Sequence, residues 1–392
     1  MRNSIYNAYA LLTFSVLVDM SIQIVIIWKI LEITNSTILM GAIVCIGALT
    51  PLIFSILTKG NKSIYEPKLV GLFRIIIAIA LIFSLKFDLL SSNIFMVSLA
   101  IISSTLMVCS INTIEIFNSQ YVQLKLIRAE ISSRVVQTSI QMGGFIGALL
   151  GGWYLQYSGF ESYILFVAFA SVFLSTGFLL IKRKDTSDFS KENKNNSKSS
   201  GFNFLNTLKQ FSPQILLIAI TGFHIGSFNI LVPVFFQLHR EWGAEILGLA
   251  SGIAGIGALT AALIPCKKAA YWIAGICLVL GDLGLYIFDY SILAASSCFL
   301  IGYAINTIRI NTRTKILLST YDSNEINNAI TLSNYIFYIV SAVIPISITY
   351  AFTLLNVEAN TYGTALIVVG LISMVITITN KSQRIKEQQY GK

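Results

Sequence analysis

Apolar residues fill this chain in runs of about 20, the length that crosses a bilayer as a helix, and short polar breaks separate them. The pattern predicts helices at 8–30, 38–57, 69–85, 94–117, 135–157 and 163–181. After a long polar interruption it predicts six more, at 213–236, 246–264, 269–288, 292–310, 326–352 and 364–378. The interruption, 182–210, carries seven Lys or Arg residues among Asn and Ser and has almost nothing to bury, which predicts a flexible linker. The expected organisation is a six-helix lobe at 1–181, a cytoplasmic linker at 182–210, a second six-helix lobe at 211–381 and a cytoplasmic tail at 382–392. The fold class is an all-α membrane protein of twelve transmembrane helices in two lobes.

The two halves repeat weakly. The segment 38–50, entering the second helix, matches 246–260, entering the eighth, with two residues inserted, and both end in Ile-Gly-Ala-Leu-Thr. At the corresponding helix of each half, such a match predicts a duplicated unit with a cavity between its copies.

Composition sharpens this picture. Hydrophobic residues make up 55% and charged residues 11%, against roughly a quarter charged in a soluble domain. The net charge of +9 is a matter of topology rather than of nucleic-acid binding. With both termini cytoplasmic, 23 of the 27 Lys and Arg residues fall on the cytoplasmic side, while Lys29, Lys86 and Arg240 fall outside. These basic flanks face lipid headgroups, and the expected location is the bacterial inner membrane. The five cysteines lack the paired spacing of a disulfide framework or zinc site. No metal-ligand cluster, phosphate-binding loop or nucleophile elbow is present, so the sequence predicts neither an enzyme nor a resident cofactor. An ion gradient is the expected energy source and a monomer the expected state.

Charged groups at membrane depth are functional candidates by default. Asp19 lies about 16 Å into the first helix at 1.5 Å per residue, with Gln23 one turn on. It is a candidate for proton coupling or substrate-cation binding, or else a buried hydrogen-bond partner. Glu115, in the fourth helix near Asn112, Thr113 and Asn118, is the second coupling candidate. Arg309, near Asn306, stands within one position of the corresponding place in the tenth helix and pairs with Glu115 across a closed cavity or snorkels to the interface. His224, with Ser227 and Asn229 nearby, titrates in the cavity or serves structurally. Arg74 and Asp282 also lie in apolar context.

The fifth helix carries Gly143-Gly-Phe-Ile-Gly147-Ala148-Leu-Leu-Gly151-Gly152. This resembles the helix 5 motif of major facilitator superfamily exporters, Gly-x-x-x-Gly-Pro-x-x-Gly-Gly, with Ala148 in place of the proline. The turn that follows, Tyr157-Ser-Gly-Phe-Glu-Ser-Tyr-Ile-Leu-Phe166, is similar to the family's entry into helix 6. The loop at 57–68 departs from the family's Gly-x-x-x-Asp-Arg-x-Gly-Arg pattern, with Lys59 where the aspartate is expected; Arg74 corresponds to the basic residue that this aspartate meets, and Glu66 is a candidate substitute. The resemblance is to the twelve-helix branch containing siderophore exporters and macrolide efflux proteins, and it implies proton-driven export of a small molecule. It further implies that helices 1, 4, 7 and 10 line the cavity. That assigns Gln23, Asn112, Thr113, His224, Asn229, Asn306 and Arg309 to the cavity, and Arg74 and Asp282 to pairing between helices. The glycines of helix 5 are expected to pack against the other lobe.

Overall fold

A computed structural model describes residues 2–58, 65–87, 92–123, 127, 129–181, 204–264, 270–318 and 323–379. Residues 182–203 of the linker, the 59–64 segment with Lys59 and the C-terminal tail lie outside the described residues, whereas 204–210, expected as linker, form the first turns of a helix and move the start of the second half to Phe204. The helices are α1 (Arg2–Thr34), α2 (Thr37–Thr58), α3 (Pro67–Lys86), α4 (Asn93–Gln123) and a continuous element Ala129–Leu180 that contains α5 (129–158) and α6 (160–180). The second half comprises α7 (Phe204–Val234), closed by a π-helical turn Phe235–His239, then α8 (Ala244–Leu263), α9 (Ala270–Ile287), α10 (Ser291–Leu318), α11 (Ser323–Leu354) and α12 (Ala359–Thr379).

Among the described residues eleven helical segments are long and apolar enough to cross a membrane, and one of them, Thr138–Leu180, has 43 residues. At 1.5 Å per residue it is about 64 Å long, twice the hydrocarbon thickness, so it makes two crossings and brings the total to twelve. The fold between them is at Gly159, the one described glycine with positive φ (77°). Only glycine adopts that backbone freely, and here it replaces a loop. Local sequence fixes other ends. Pro67 starts α3 where its missing N–H is not needed, and the Ser36 hydroxyl accepts from the Leu39 amide (3.2 Å) at the start of α2.

The repeat seen in the sequence is present in three dimensions. Thr50 in α2 and Thr260 in α8 each turn their hydroxyl back to the carbonyl four residues earlier, Ile46 and Ile256, at 2.8 and 2.9 Å. Gly47 faces Ser104 of α4, and Gly257 faces the backbone of Phe299 and Tyr303 in α10.

The helix 5 motif divides its work between two faces. Gly143, Gly147 and Gly151, four residues apart and so on one face, lie against Thr13, Leu17 and Ser21 of α1 in their own half. Ala148 and Gly152 lie on an adjacent face: the Ala148 carbonyl and Gly152 Cα abut Gly248 of α8 in the other half. The expectation that the whole motif meets the other lobe is therefore corrected. Three glycines build the first half, and two small residues join the halves.

Candidate functional site

Contacts between the halves concentrate at the end of the bundle that carries the α1–α2 turn. There the Gln156 side chain accepts from the Ala244 amide (3.2 Å), capping α8 from the opposite half. Gly41 of α2 packs on Thr349 and Pro345 of α11, and Thr37 meets Thr353 hydroxyl to hydroxyl at 3.4 Å. The seal reaches as far as Phe145, which fills the space beside Gly255, and Asn306. The Asn306 amide nitrogen donates to the Ala258 carbonyl (2.6 Å), and its oxygen accepts from Gln141 of α5 (3.1 Å), so α5, α8 and α10 meet at one residue.

Beyond Asn306, toward the end where the chain begins, polar groups become accessible. Arg309 is half-buried and lies 5.0 Å from the centre of the Phe337 ring of α11. Arg313, one turn further along α10, is exposed, as is Glu115 of α4 in the opposite half. The charges of Glu115 and Arg313 act on each other across the halves, and the Tyr338 hydroxyl of α11 lies in the field of both Glu115 and Arg309. Among the described residues none of these three charged groups has a partner within salt-bridge distance. The result is a recess open at one end of the bundle. Two guanidinium groups on α10 and a single carboxylate on α4 are its accessible charges, and the buried Asn306 marks its inner limit.

The two buried charged clusters lie away from this recess. Arg74 of α3 donates to both Asp19 oxygens (3.1 and 2.7 Å) and to the Ser110 hydroxyl of α4 (2.8 Å), over the Phe178 ring, with Asp19, Arg74 and Ser110 at 0% exposure. Asp19 therefore sits inside the first half, closed off by Arg74, whose guanidinium it engages with both oxygens. Glu66 is exposed at the N-cap of α3. In the second half His224 Nε2 stands 2.9 Å from Asp282 Oδ2, both buried.

Of the residues expected in the cavity, Asn306 and Arg309 are brought together at the recess, with Glu115 opposite. Thr113 instead donates to the Tyr65 carbonyl (3.0 Å) and braces the α3 entry. His224 turns toward α9, and Gln23 donates to Ser104 of α4 (3.3 Å). Asn112 and Asn229 are half-buried. Arg313, Tyr338 and Gln141 were not foreseen. Gln141 had a readable signal, an amide at membrane depth in the fifth helix. Arg313 was hidden among the basic flanks, and Tyr338 is one of 17 tyrosines.

No protein family and no curated protein matches the sequence. Solved structures do match in shape. The nucleoside transporter NupG aligns at TM-score 0.71 and 14% identity, over 97% of this chain and 98% of that one. A POT family transporter in complex with a thioalcohol-conjugated peptide aligns at 0.62 and 14%, over 96% and 94%. A bacterial homologue of the human lysosomal transporter Spinster, in an inward-facing and unoccupied conformation, aligns at 0.57 and 11%, over 97% and 95%. This chain has their fold: the twelve-helix major facilitator architecture of a multi-pass membrane protein.

Proposed function

We propose that the chain is a secondary transporter that works by alternating access and carries a small polar metabolite bearing an acid group. The observation that carries this reading is the recess at Asn306, sealed at one end by small-residue packing and open at the other, with Arg309, Arg313 and Glu115 as its accessible charges. Two guanidinium groups without a carboxylate partner among the described residues suit an anionic group on the substrate, because Arg binds a carboxylate through two parallel N–H donors. With the termini cytoplasmic, as the basic flanks predict, this is the inward-open state. Rocking of the halves about Asn306 then exposes the recess to the other side.

Direction and substrate follow from the sequence resemblance: proton-driven export, with an iron-chelating metabolite as the substrate. A group that takes up and releases the coupling proton is part of the reading. Of the two carboxylates expected from the sequence, Glu115 is open to solvent and lies in the field of Arg313, whereas Asp19 is held by Arg74, whose guanidinium keeps its proton. The test compares cytosol and medium, by untargeted mass spectrometry, between a deletion strain and its parent grown with and without iron. Loss of an acidic chelator from the medium and its accumulation inside support the reading. Unchanged metabolites with increased sensitivity to lipophilic cations point to drug efflux instead, and depletion of a polar nutrient inside the deletion strain points to uptake.

A further inference from the structure

The described residues include two buried acid–base pairs, and they are built differently. In the first half the base is Arg74, which stays charged at any pH a cell reaches. Both Asp19 oxygens are engaged, so that pair is neutral and fixed. In the second half the base is His224, whose imidazole, unlike a guanidinium, exists in both neutral and protonated forms. One oxygen and one ring nitrogen are used at 2.9 Å, while Asp282 Oδ1 and His224 Nδ1 are buried without a partner among the described residues. The pair therefore retains an acceptor and a ring nitrogen beyond the contact they share.

We propose that the His224–Asp282 pair is the binding site for the coupling proton, which names the ion site of the transporter inferred above and rests on that reading. With the proton aboard, on ring or carboxyl, the pair carries no net charge and is tolerated where it lies. Without it, a bare carboxylate remains in an apolar interior, which is unfavourable by several kcal/mol unless water reaches it. Release therefore requires the surrounding helices to open, and uptake allows them to close. Among the described residues His224 is the one charged group that acts on Asp282. Gly370 of α12 lies directly against Asp282 Oδ2, so no side chain intervenes there. Cys298 of α10 is a fully buried thiol within reach of the Asp282 charge. Ser227 sits one turn from His224 on α7. The helix that brings His224, α7, packs through Gly222 and Gly226 onto Phe337 and Ser341 of α11. Phe337 is the ring under Arg309. A change in how α7 sits is thereby passed to the wall of the recess.

The chain has two histidines, so His239→Gln leaves His224 as the only one. The full-length His239→Gln protein, labelled with ¹⁵N-histidine and purified in lipid nanodiscs, is titrated by NMR between about pH 5 and 9. In parallel, spin labels on α4 and α10 at the open end report the distance between the halves over the same pH range. The expected result is a one-proton transition of the His224 ring, shifted by at least about one pH unit in Asp282→Asn, with the distance distribution following the same midpoint and losing its pH response in His224→Gln. A ring signal constant across the range overturns the proposal, as does a distance distribution in His224→Gln that responds to pH as the parent does. The ring titration in the His239→Gln protein decides the matter even where the other variants fail to fold. None of these readouts needs a substrate. A pair that titrates and moves the halves in a protein that transports nothing retains the proton site and refutes the transporter reading.

Discussion

Arg74 closes on Asp19 through two parallel hydrogen bonds, 3.1 and 2.7 Å, that tie α3 to α1 deep inside the first half. The second half ties the corresponding helices, α9 and α7, through Asp282 and His224, but with acid and base exchanged between them. A duplicated fold thus keeps a polar tie at one place in each copy while reversing its sense. A buried pair is not a large source of stability in itself, because both ions lose hydration. Its strength lies in what happens when half of it is removed.

Replacing Arg74 with Met leaves Asp19 buried without a counter-ion and the Ser110 hydroxyl without its donor. The expected loss is about 3–5 kcal/mol, enough to prevent recovery of a monodisperse protein in mild detergent. The double variant Arg74→Met with Asp19→Leu removes both charges and should recover more than half of that loss. Thermal unfolding followed by size-exclusion fluorescence distinguishes the two, and a double variant no better than the single one refutes the charge argument.

Gly159 separates α5 from α6 by its backbone alone, since a methyl group there would meet nothing within 4 Å. Gly159→Ala should therefore destabilise by about 1–3 kcal/mol, the cost of holding a residue with a Cβ at positive φ and extended ψ, without altering packing. A melting temperature equal to the parent's in nanodiscs would show that the turn has another way to form.

Much of this architecture was legible in the sequence, because crossing a bilayer imposes one rule on every helix: about 20 apolar residues with the backbone satisfied internally. The crossings, the half-repeat and the intramembrane charges all follow from that rule. Pairing did not. Asp19 reads as a lone carboxylate because its partner is 55 residues away in sequence, and no periodicity links them. Within helix 5, four-residue spacing identifies a packing face but not its partner, so Gly147 and Gly152 look alike in sequence yet meet different halves. The recess was half visible. Asn306, Arg309 and Glu115 stand out as polar groups at depth, whereas Arg313 is indistinguishable from a topology-setting basic residue until α10 is seen to extend to it.

The two faces of helix 5 should separate under mutation. Gly147→Val places a branched side chain in the Leu17 backbone and should abolish folding of the first half. Gly152→Val instead obstructs the Gly248 face between the halves and should leave each half folded while opening the sealed end. A Thr37→Cys/Thr353→Cys pair in a background lacking the native cysteines reports that end, since the two hydroxyls are 3.4 Å apart. Disulfide formation should be efficient in the parent and fall about tenfold with Gly152→Val, a bias of about 1.4 kcal/mol between the two states. Equal cross-linking in both would show that α5 and α8 do not control closure.

Arg309 and Arg313 lie on one face of α10 but at different depths, and their substitutions should fail in different ways. Arg309 is half-buried over Phe337 beside Asn306, so Arg309→Gln removes the deeper anion contact. Binding of the transported metabolite should weaken about 10- to 100-fold, the worth of one charge-assisted hydrogen-bonded pair at 1.5–3 kcal/mol. Arg313 is exposed at the mouth and within the field of Glu115, and on the alternating-access reading the two would pair as the halves close at that end. Arg313→Gln should therefore leave binding within about twofold but slow the turnover of gradient-driven transport, and Glu115→Gln should do the same. A charge exchange, Glu115→Arg with Arg313→Glu, restores the attraction across the mouth and should recover transport where each single change does not. Equilibrium binding by microcalorimetry, set beside flux into proteoliposomes, separates the two effects. If Arg313→Gln weakens binding as much as Arg309→Gln does, both arginines hold the substrate and the mouth closes by some other contact.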